Sequence, residues 1–292
     1  MSKLSEKNSG AITVFDLKKN RIKFVYGLMI LLCFLIVLIS VIPPLWIMLS
    51  SFKSQEEFFR QPPTFWPEKF HPERIAEAWN KLKFMTYYKN SLITVTGSVL
   101  CAVIFNGMLA YVIAMLKPRG SKIVYGLIMI SLMIPATTSL VPLFKNIVAL
   151  KLNNQFTPLW FAAGANAFYV VLYVTFFKSI PISLIEAARL DGCSDLQIFF
   201  RIVAPLSKSM NMVIAMYAVN AAWSDFLLPY LVLKKDSKFT VMVKLFVARE
   251  GGKMTPDQLM MCITFAIIPP IILFILFQKQ ITGGATLGGI KE

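Results

Sequence analysis

Charge is scarce in this chain. Of 292 residues, 15% are charged and 57% apolar, where a soluble domain is about one quarter charged. Histidine is scarcer still: His71 stands alone, with no Cys, His or carboxylate at ligand spacing, and is expected at the surface. The four cysteines, Cys33, Cys101, Cys193 and Cys262, are scattered, three in apolar runs and one in a polar loop. That scatter predicts neither a disulfide nor a metal site. A G-x-x-x-x-G-K-[ST] phosphate loop is missing, so no ATP-binding loop of that kind is expected. Paired carboxylates, His clusters and nucleophile–base pairs are missing from the apolar runs, which argues against an intramembrane enzyme. Neither an internal repeat nor a stretch able to form a soluble domain is present.

Long apolar runs are what the chain has instead. Phe24–Phe52, Asn90–Leu116, Ile123–Phe144, Leu152–Phe177, Ser209–Leu233 and Gln258–Gln278 are 21 to 29 residues long, and each holds one charge at most. Crossing the hydrocarbon layer takes about 20 apolar residues per helix, so six transmembrane helices are expected. The net charge of +15 comes from Lys and Arg in the connecting segments. No basic run is interleaved with aromatics, as single-strand binders require, so nucleic acid is excluded. Lys18, Lys19, Arg21 and Lys23 precede the first run, and Lys117, Arg119 and Lys122 fill the short second loop. By the positive-inside rule both segments are cytoplasmic, and six spans return the C-terminus to the same side. Over all loops Lys and Arg divide evenly, fifteen on each side, because two outside segments are long and obey the rule less well. The first run is too long for a cleaved signal and lacks a small-residue cleavage site.

The expected organisation is an N-terminal cytoplasmic tail (1–23), a membrane region of six spans (24–280) and a glycine-rich cytoplasmic tail (281–292). Within it lie an external segment, 51–89, and a polar loop, 179–208. Pro43-Pro44 is expected to kink or end the first helix. "PERIAEAW" reads as a short helix, and Lys234–Asp257 as a polar connection.

The polar loop carries order signals. Ser183 followed by Glu186 reads as a capping box, as does Ser194 followed by Gln197. Gly192 suits a left-handed C-terminal cap between two short helices. Leu196, Phe199, Phe200 and Val203 then recur at helical spacing up to Pro205. A helix–turn–helix at the membrane surface is expected. Its first helix shows the small residues Ala187 and Ala188, which let another backbone approach.

Glu186-Ala187-Ala188, Asp191-Gly192, Phe199, Ile202 and Pro205 together closely resemble the EAA loop of ABC-importer permeases, E-A-A-x-x-D-G followed by F, I and L-P. Ala204 stands where the leucine is usual. "PPLWIMLSSFKS", "YYKNSLIT", "WSDFLLPYLVL" and "FQKQITGGATLGGIKE" extend the resemblance to the second permease of carbohydrate importers, the maltose-transporter-like class. The resemblance implies an all-α permease of the type I importer fold in a bacterial inner membrane. It implies a heterodimer with a related permease, two ATPase subunits that bind the ATP and Mg, and an external or periplasmic solute-binding protein that delivers the sugar. No cofactor is implied on this chain. Glu186, Ala187, Ala188, Asp191 and Gly192 would form the ATPase-coupling element.

A sugar path needs polar groups inside spans, where they are costly in lipid. Asn166, Tyr169 and Tyr173 share a stripe in the fourth run. Tyr217, Asn220 and Ser224 share one in the fifth, with Trp223 beside it and Asp225 near its end. Asn106 and Tyr111 lie in the second. Interhelical hydrogen bonding is the competing role for the amides. Asp225 can cap a loop or meet the binding protein. The segment Ser51–Lys89 can receive that protein or pack as a cap on the helices. Thr282–Lys291 can be a frayed end or lie against the ATPases. An ion-coupled carrier is the alternative function, but repeats and a buried midplane charge are its usual marks, and Asp225 lies near a span end.

Overall fold

The computed structural model describes residues 20–251 and 254–287, all strand-free. They divide at Pro72–Glu73 into two units. Of the expected tail 1–23, residues 1–19 lie outside the described residues, as do 288–292, and 20–23 belong to the first helix.

In the first unit, α1 (Asn20–Ser50) exposes apolar side chains such as Phe24, Ile36 and Ile39. It continues through Pro43 and Pro44 to Ser50, so the proline pair does not end it. Ser54 caps α2 (Gln55–Phe59) by accepting from the Glu57 N–H at 3.1 Å. The following loop folds on itself. Glu57 Oε1 accepts from the Thr64 hydroxyl at 2.8 Å and the Glu68 N–H at 3.0 Å. The Lys53 ammonium donates to the Thr64 carbonyl, and the His71 N–H donates to the Phe52 carbonyl at 3.0 Å. His71 itself is half-buried rather than a free surface residue.

In the second unit, α3 (Pro72–Lys81) is the expected short helix, with Trp79 against Phe84, Tyr88 and Phe265. The central element is α4 (Phe84–Tyr111), extended by a π turn at Val112–Leu116. Around it run α5 (Ser121–Ser131), α6 (Leu140–Ala149), α7 (Thr157–Gly164) and α8 (Ala167–Phe177). A hairpin follows, built of α9 (Ile182–Leu190), α10 (Asp195–Ile198), a π turn at Phe199–Val203, and α11 (Ala204–Leu206). Then come α12 (Lys208–Ser224), α13 (Leu227–Val232), α14 (Val241–Glu250) and α15 (Pro256–Leu287).

The six apolar runs are all here, but only three are single long helices: Ile22–Ser50, Phe84–Leu116 and Pro256–Ile275. The fourth is α7 and α8, bent by 42°, and the fifth joins the hairpin at an 84° bend. The third is interrupted: α5 ends at Ser131, and the chain turns at Pro135 before a 3₁₀ turn and α6. A proline has no N–H to give a helix and keeps the preceding residue out of helical geometry. The "polar" segment 234–257 holds α14, which buries Val241, Val243 and Ala248. Within the C-terminal tail, 281–287 are still helical.

Hydrogen bonds at one end of the unit tie the connection after α13 to α4. Asn90 donates to the carbonyls of Ser237 and Phe239, both at 2.9 Å. Asp236 accepts from Tyr87 and Lys244, both at 2.7 Å. Burial works against the Asp236 charge, but hydrogen bonds from Lys244 and Tyr87, with attraction from Lys244 and Lys83, outweigh it and hold the carboxyl below its usual range.

Close packing of α4 on α7 depends on two glycines. A Cβ on Gly97 would meet Trp160 ring atoms at 2.3 to 2.5 Å, and one on Gly164 would meet Phe105 at 2.8 Å. Small residues let helices approach in lipid, where no hydrophobic force drives them together. Gly97→Ala is therefore expected to destabilise the protein by about 1–3 kcal/mol. A second change, Trp160→Leu, should recover part of that loss. Denaturation of the detergent-solubilised chain measures both.

Candidate functional site

Two features stand out: the hairpin between α8 and α12, and the interrupted helices around which the expected path residues gather.

The hairpin has fixed corners. Gly192 has φ +80°, which glycine adopts without steric cost. Its N–H donates to the Arg189 carbonyl and the Cys193 N–H to the Ala188 carbonyl, each at 3.0 Å, the Schellman arrangement of a helix end. Ser194 and Gln197 form the expected capping box, at 2.8 Å and 3.4 Å. Arg189 and Asp195 pair across the turn at 3.1 Å. The other expected box is absent. Pro181 is the N-cap of α9, so Ser183 falls inside the helix, and no side chain caps that end. Glu186 is left exposed at mid-helix. Asp191 is the exposed C-cap residue, with the turn held by the backbone bonds just named.

One side of the hairpin is rooted in the core. Ile185, Ala188, Ile198, Phe199 and Val203 are buried in one cluster with Tyr111, Tyr173 and Phe177. The expected stripe is only half right: Leu196 and Phe200 are exposed, while Ile198 is buried. Phe199 and Val203, at the two ends of the π turn, are buried as expected. Phe199 packs on Tyr111 at 5.6 Å between ring centres, just before the π turn that ends α4. The opposite side is free. Ala187 and Glu186 are exposed, Ile182 and Leu184 are nearly half exposed, and Leu190 is 90% exposed. Of the two expected small contact residues, Ala187 faces outward and Ala188 packs inside the chain.

The helix interruptions account for several polar residues. Between α7 and α8 the Asn106 amide donates to the Ala163 carbonyl at 3.0 Å, and its oxygen accepts from the Asn166 N–H at 2.9 Å. Asn166 in turn caps α8 by accepting from the Tyr169 N–H at 3.2 Å. At the bend into α12, Asn211 donates to the Ala204 carbonyl at 2.9 Å, and the Tyr173 hydroxyl donates to Asn211 at 2.8 Å. In α15, Pro269 and Pro270 have no N–H for the carbonyls of Phe265 and Ala266. Tyr88 donates to the first, and Trp223 to the second at 3.1 Å. Between α12 and α13, Asp225 accepts from the N–H groups of Leu227 and Leu228 at 3.0 and 3.4 Å. Asp225 thus takes the capping role.

Tyr173 is fully buried and Trp223 nearly so, and both are committed to backbone or cap partners. Trp223 also lines, with Ser224, an apolar cavity of about 480 Å³. Asn166, Tyr169 and Asp225 do meet, with Thr94 and Ser98, at a cavity of about 130 Å³. Ligand pockets are commonly about 300–1,000 Å³, so it is too small for a sugar chain. Tyr217, Asn220 and Ser224 are exposed along one face of α12.

The chain superposes on a crystal structure of a bacterial ABC transporter involved in the import of the acidic polysaccharide alginate, with TM-score 0.78 and 24% identity, covering 89% of this chain and 98% of that one. The fold is therefore that of an ABC-importer permease. Residues 104–284 match the family profile described as binding-protein-dependent transport system inner membrane component, and the chain belongs to that family. Similar relatives include the arabinooligosaccharides transport system permease protein AraQ of Bacillus subtilis, 32% identical over 71% of this chain and 74% of that one. The diacetylchitobiose uptake system permease protein NgcG of Streptomyces coelicolor is 28% identical over 87% and 85%.

Buried donors at helix breaks are costly to remove. Asn106→Leu leaves one carbonyl and one N–H unpaired, and Trp223→Phe leaves one carbonyl. Losses of about 2 and about 1 kcal/mol are expected, read as earlier unfolding in a denaturant titration. Asn220→Ala should leave stability unchanged in the same titration.

Proposed function

We propose that this chain is one of two related permease subunits of an oligosaccharide importer, moved by a separate pair of ATPases that dock on the hairpin Ile182–Leu206. The carrying observation is that hairpin: an element with fixed corners whose outward side shows Leu190, Ala187 and Glu186 to solvent. An exposed apolar surface on an ordered element marks a contact with another protein. The missing Ser183–Glu186 box supports the same reading, because it leaves the Glu186 carboxylate free to accept a hydrogen bond from the ATPase. ATP and Mg belong to those partners. Membership of a binding-protein-dependent family supports an external solute-binding protein, and the oligosaccharides in the names of two relatives support the substrate class.

The side of the membrane follows from charge. Lys18, Lys19, Arg21 and Lys23 with Lys117, Arg119 and Lys122 favour cytoplasmic termini and a cytoplasmic hairpin. Ser51–Lys89 is then external and available to the binding protein. The stripe Tyr217–Asn220–Ser224 supports a second permease, because polar side chains on a membrane helix avoid lipid and face protein or a water-filled path. On this reading the sugar passes between the two permeases along that stripe, and Asn166, Tyr169 and Asp225 lie behind it.

Two measurements test these roles. In the complex purified with its partners, Glu186→Lys and Gly192→Val should each reduce ATPase retained by about tenfold, the effect of some 1.4 kcal/mol. Full retention in both variants removes the docking assignment. In vesicles, Tyr217→Ala and Asn220→Ala should cut sugar uptake at least about tenfold with the assembly intact. Uptake at the unsubstituted level in both removes the stripe from the path.

A further inference from the structure

We propose that a basic cavity at the junction of α4, α5 and α8 binds the headgroup phosphate of an anionic phospholipid. The cavity measures about 560 Å³ and is lined by Lys117, Arg119, Lys122 and Lys178 around an apolar floor that includes Ile113 and Val174. No acidic residue lines it, and none of the four cations enters an ion pair among the described residues. Lys178 stands over the Tyr125 ring at 5.4 Å. The cations come from three places: the end of α4, the loop and first turn of α5, and the end of α8. Four like charges repel one another, so an anion among them relieves a standing cost. The N-terminus of α5 begins at the same place without a side-chain cap, which adds positive potential.

Position distinguishes a lipid from a free anion. Immediately beyond the cations, α5 exposes Ile123, Leu127 and Ile130 at 70%, 62% and 58%, and the turn after it exposes Ile134 at 56%. The first three recur at helical spacing and form one apolar face. A phosphate diester held by the cations would lay its acyl chains along that face. Basic pockets between membrane helices are suited to such headgroups. The inference needs the chain to be membrane-embedded but not a particular side of the membrane.

The test uses the full chain in nanodiscs of phosphatidylcholine containing a minor fraction of phosphatidylglycerol, with retained lipid counted by native mass spectrometry after release. Phosphatidylglycerol should be enriched over its share of the bilayer. The combined Arg119→Gln, Lys122→Gln and Lys178→Gln variant should lose that enrichment, about fivefold per charge. The charge-preserving set Arg119→Lys, Lys122→Arg and Lys178→Arg should keep most of it and controls for folding. Equal retention by the neutralised variant overturns the proposal. So does displacement of the lipid by millimolar inorganic phosphate, which identifies a free-anion site. Loss of ATPase co-purification with lipid retention unchanged assigns the patch to a protein contact and also overturns it. Nanodiscs open both faces to solution, so an error in the assigned orientation leaves the lipid result standing.

Discussion

A helix in lipid must satisfy every backbone N–H and carbonyl within the protein, because no water is there to do it. This chain interrupts its membrane helices repeatedly, and side chains from neighbouring elements answer most of the interruptions. Asn106 bridges the gap between α7 and α8. Tyr88 and Trp223 take the two carbonyls that Pro269 and Pro270 leave free. Asn211, held by Tyr173, takes the carbonyl at the bend into α12. At the two bends the bonds both permit the bend and fix it, and in α15 they let the helix run on through its prolines. The bends are thus specific joints rather than weak points.

The same constraint explains what could be read from the sequence. Exclusion of charge over 21 to 29 residues is a compositional signal, and it located the apolar elements. The breaks were harder. Pro135 announces one, but Asn166 and Asp225 look alike whether they cap a helix or line a path. Tyr173 and Trp223 match the composition of a sugar path and also serve as internal donors. Only the partner distinguishes the roles, and the partner of Trp223 is 43 residues away in sequence. The stripe on α12 was legible because its three polar residues share one helical face.

The loop teaches a similar lesson at shorter range. Ser194–Gln197 and Ser183–Glu186 present the same cap pattern, and only the first forms. In the second, Pro181 takes the N-cap position, which makes Ser183 the second residue of the helix, where its hydroxyl has no cap to make. Gly192 was legible because a left-handed corner has few alternatives to glycine. The burial of Ile198 in place of Leu196 was not, because both lie in a four-residue helix too short for its spacing to define the inward face.

These details join the hairpin to the proposed path. From Asp195 the chain runs through the π turn and α11 to an 84° bend, then into α12. At the bend Ser207 donates its N–H and hydroxyl to the Val203 carbonyl at 3.0 and 2.7 Å, and Asn211 locks the next carbonyl. Helical turns run almost without a break from the surface proposed to meet an ATPase to the helix carrying Tyr217 and Asn220. Packing of Phe199 on Tyr111 also links the hairpin to α4. Under the proposed function, a displacement of the hairpin would be passed to α12 and α4 together, through packed rings and a locked bend. Interfaces packed in this way shift between discrete arrangements instead of deforming gradually, which suits an importer that must never leave its path open to both sides.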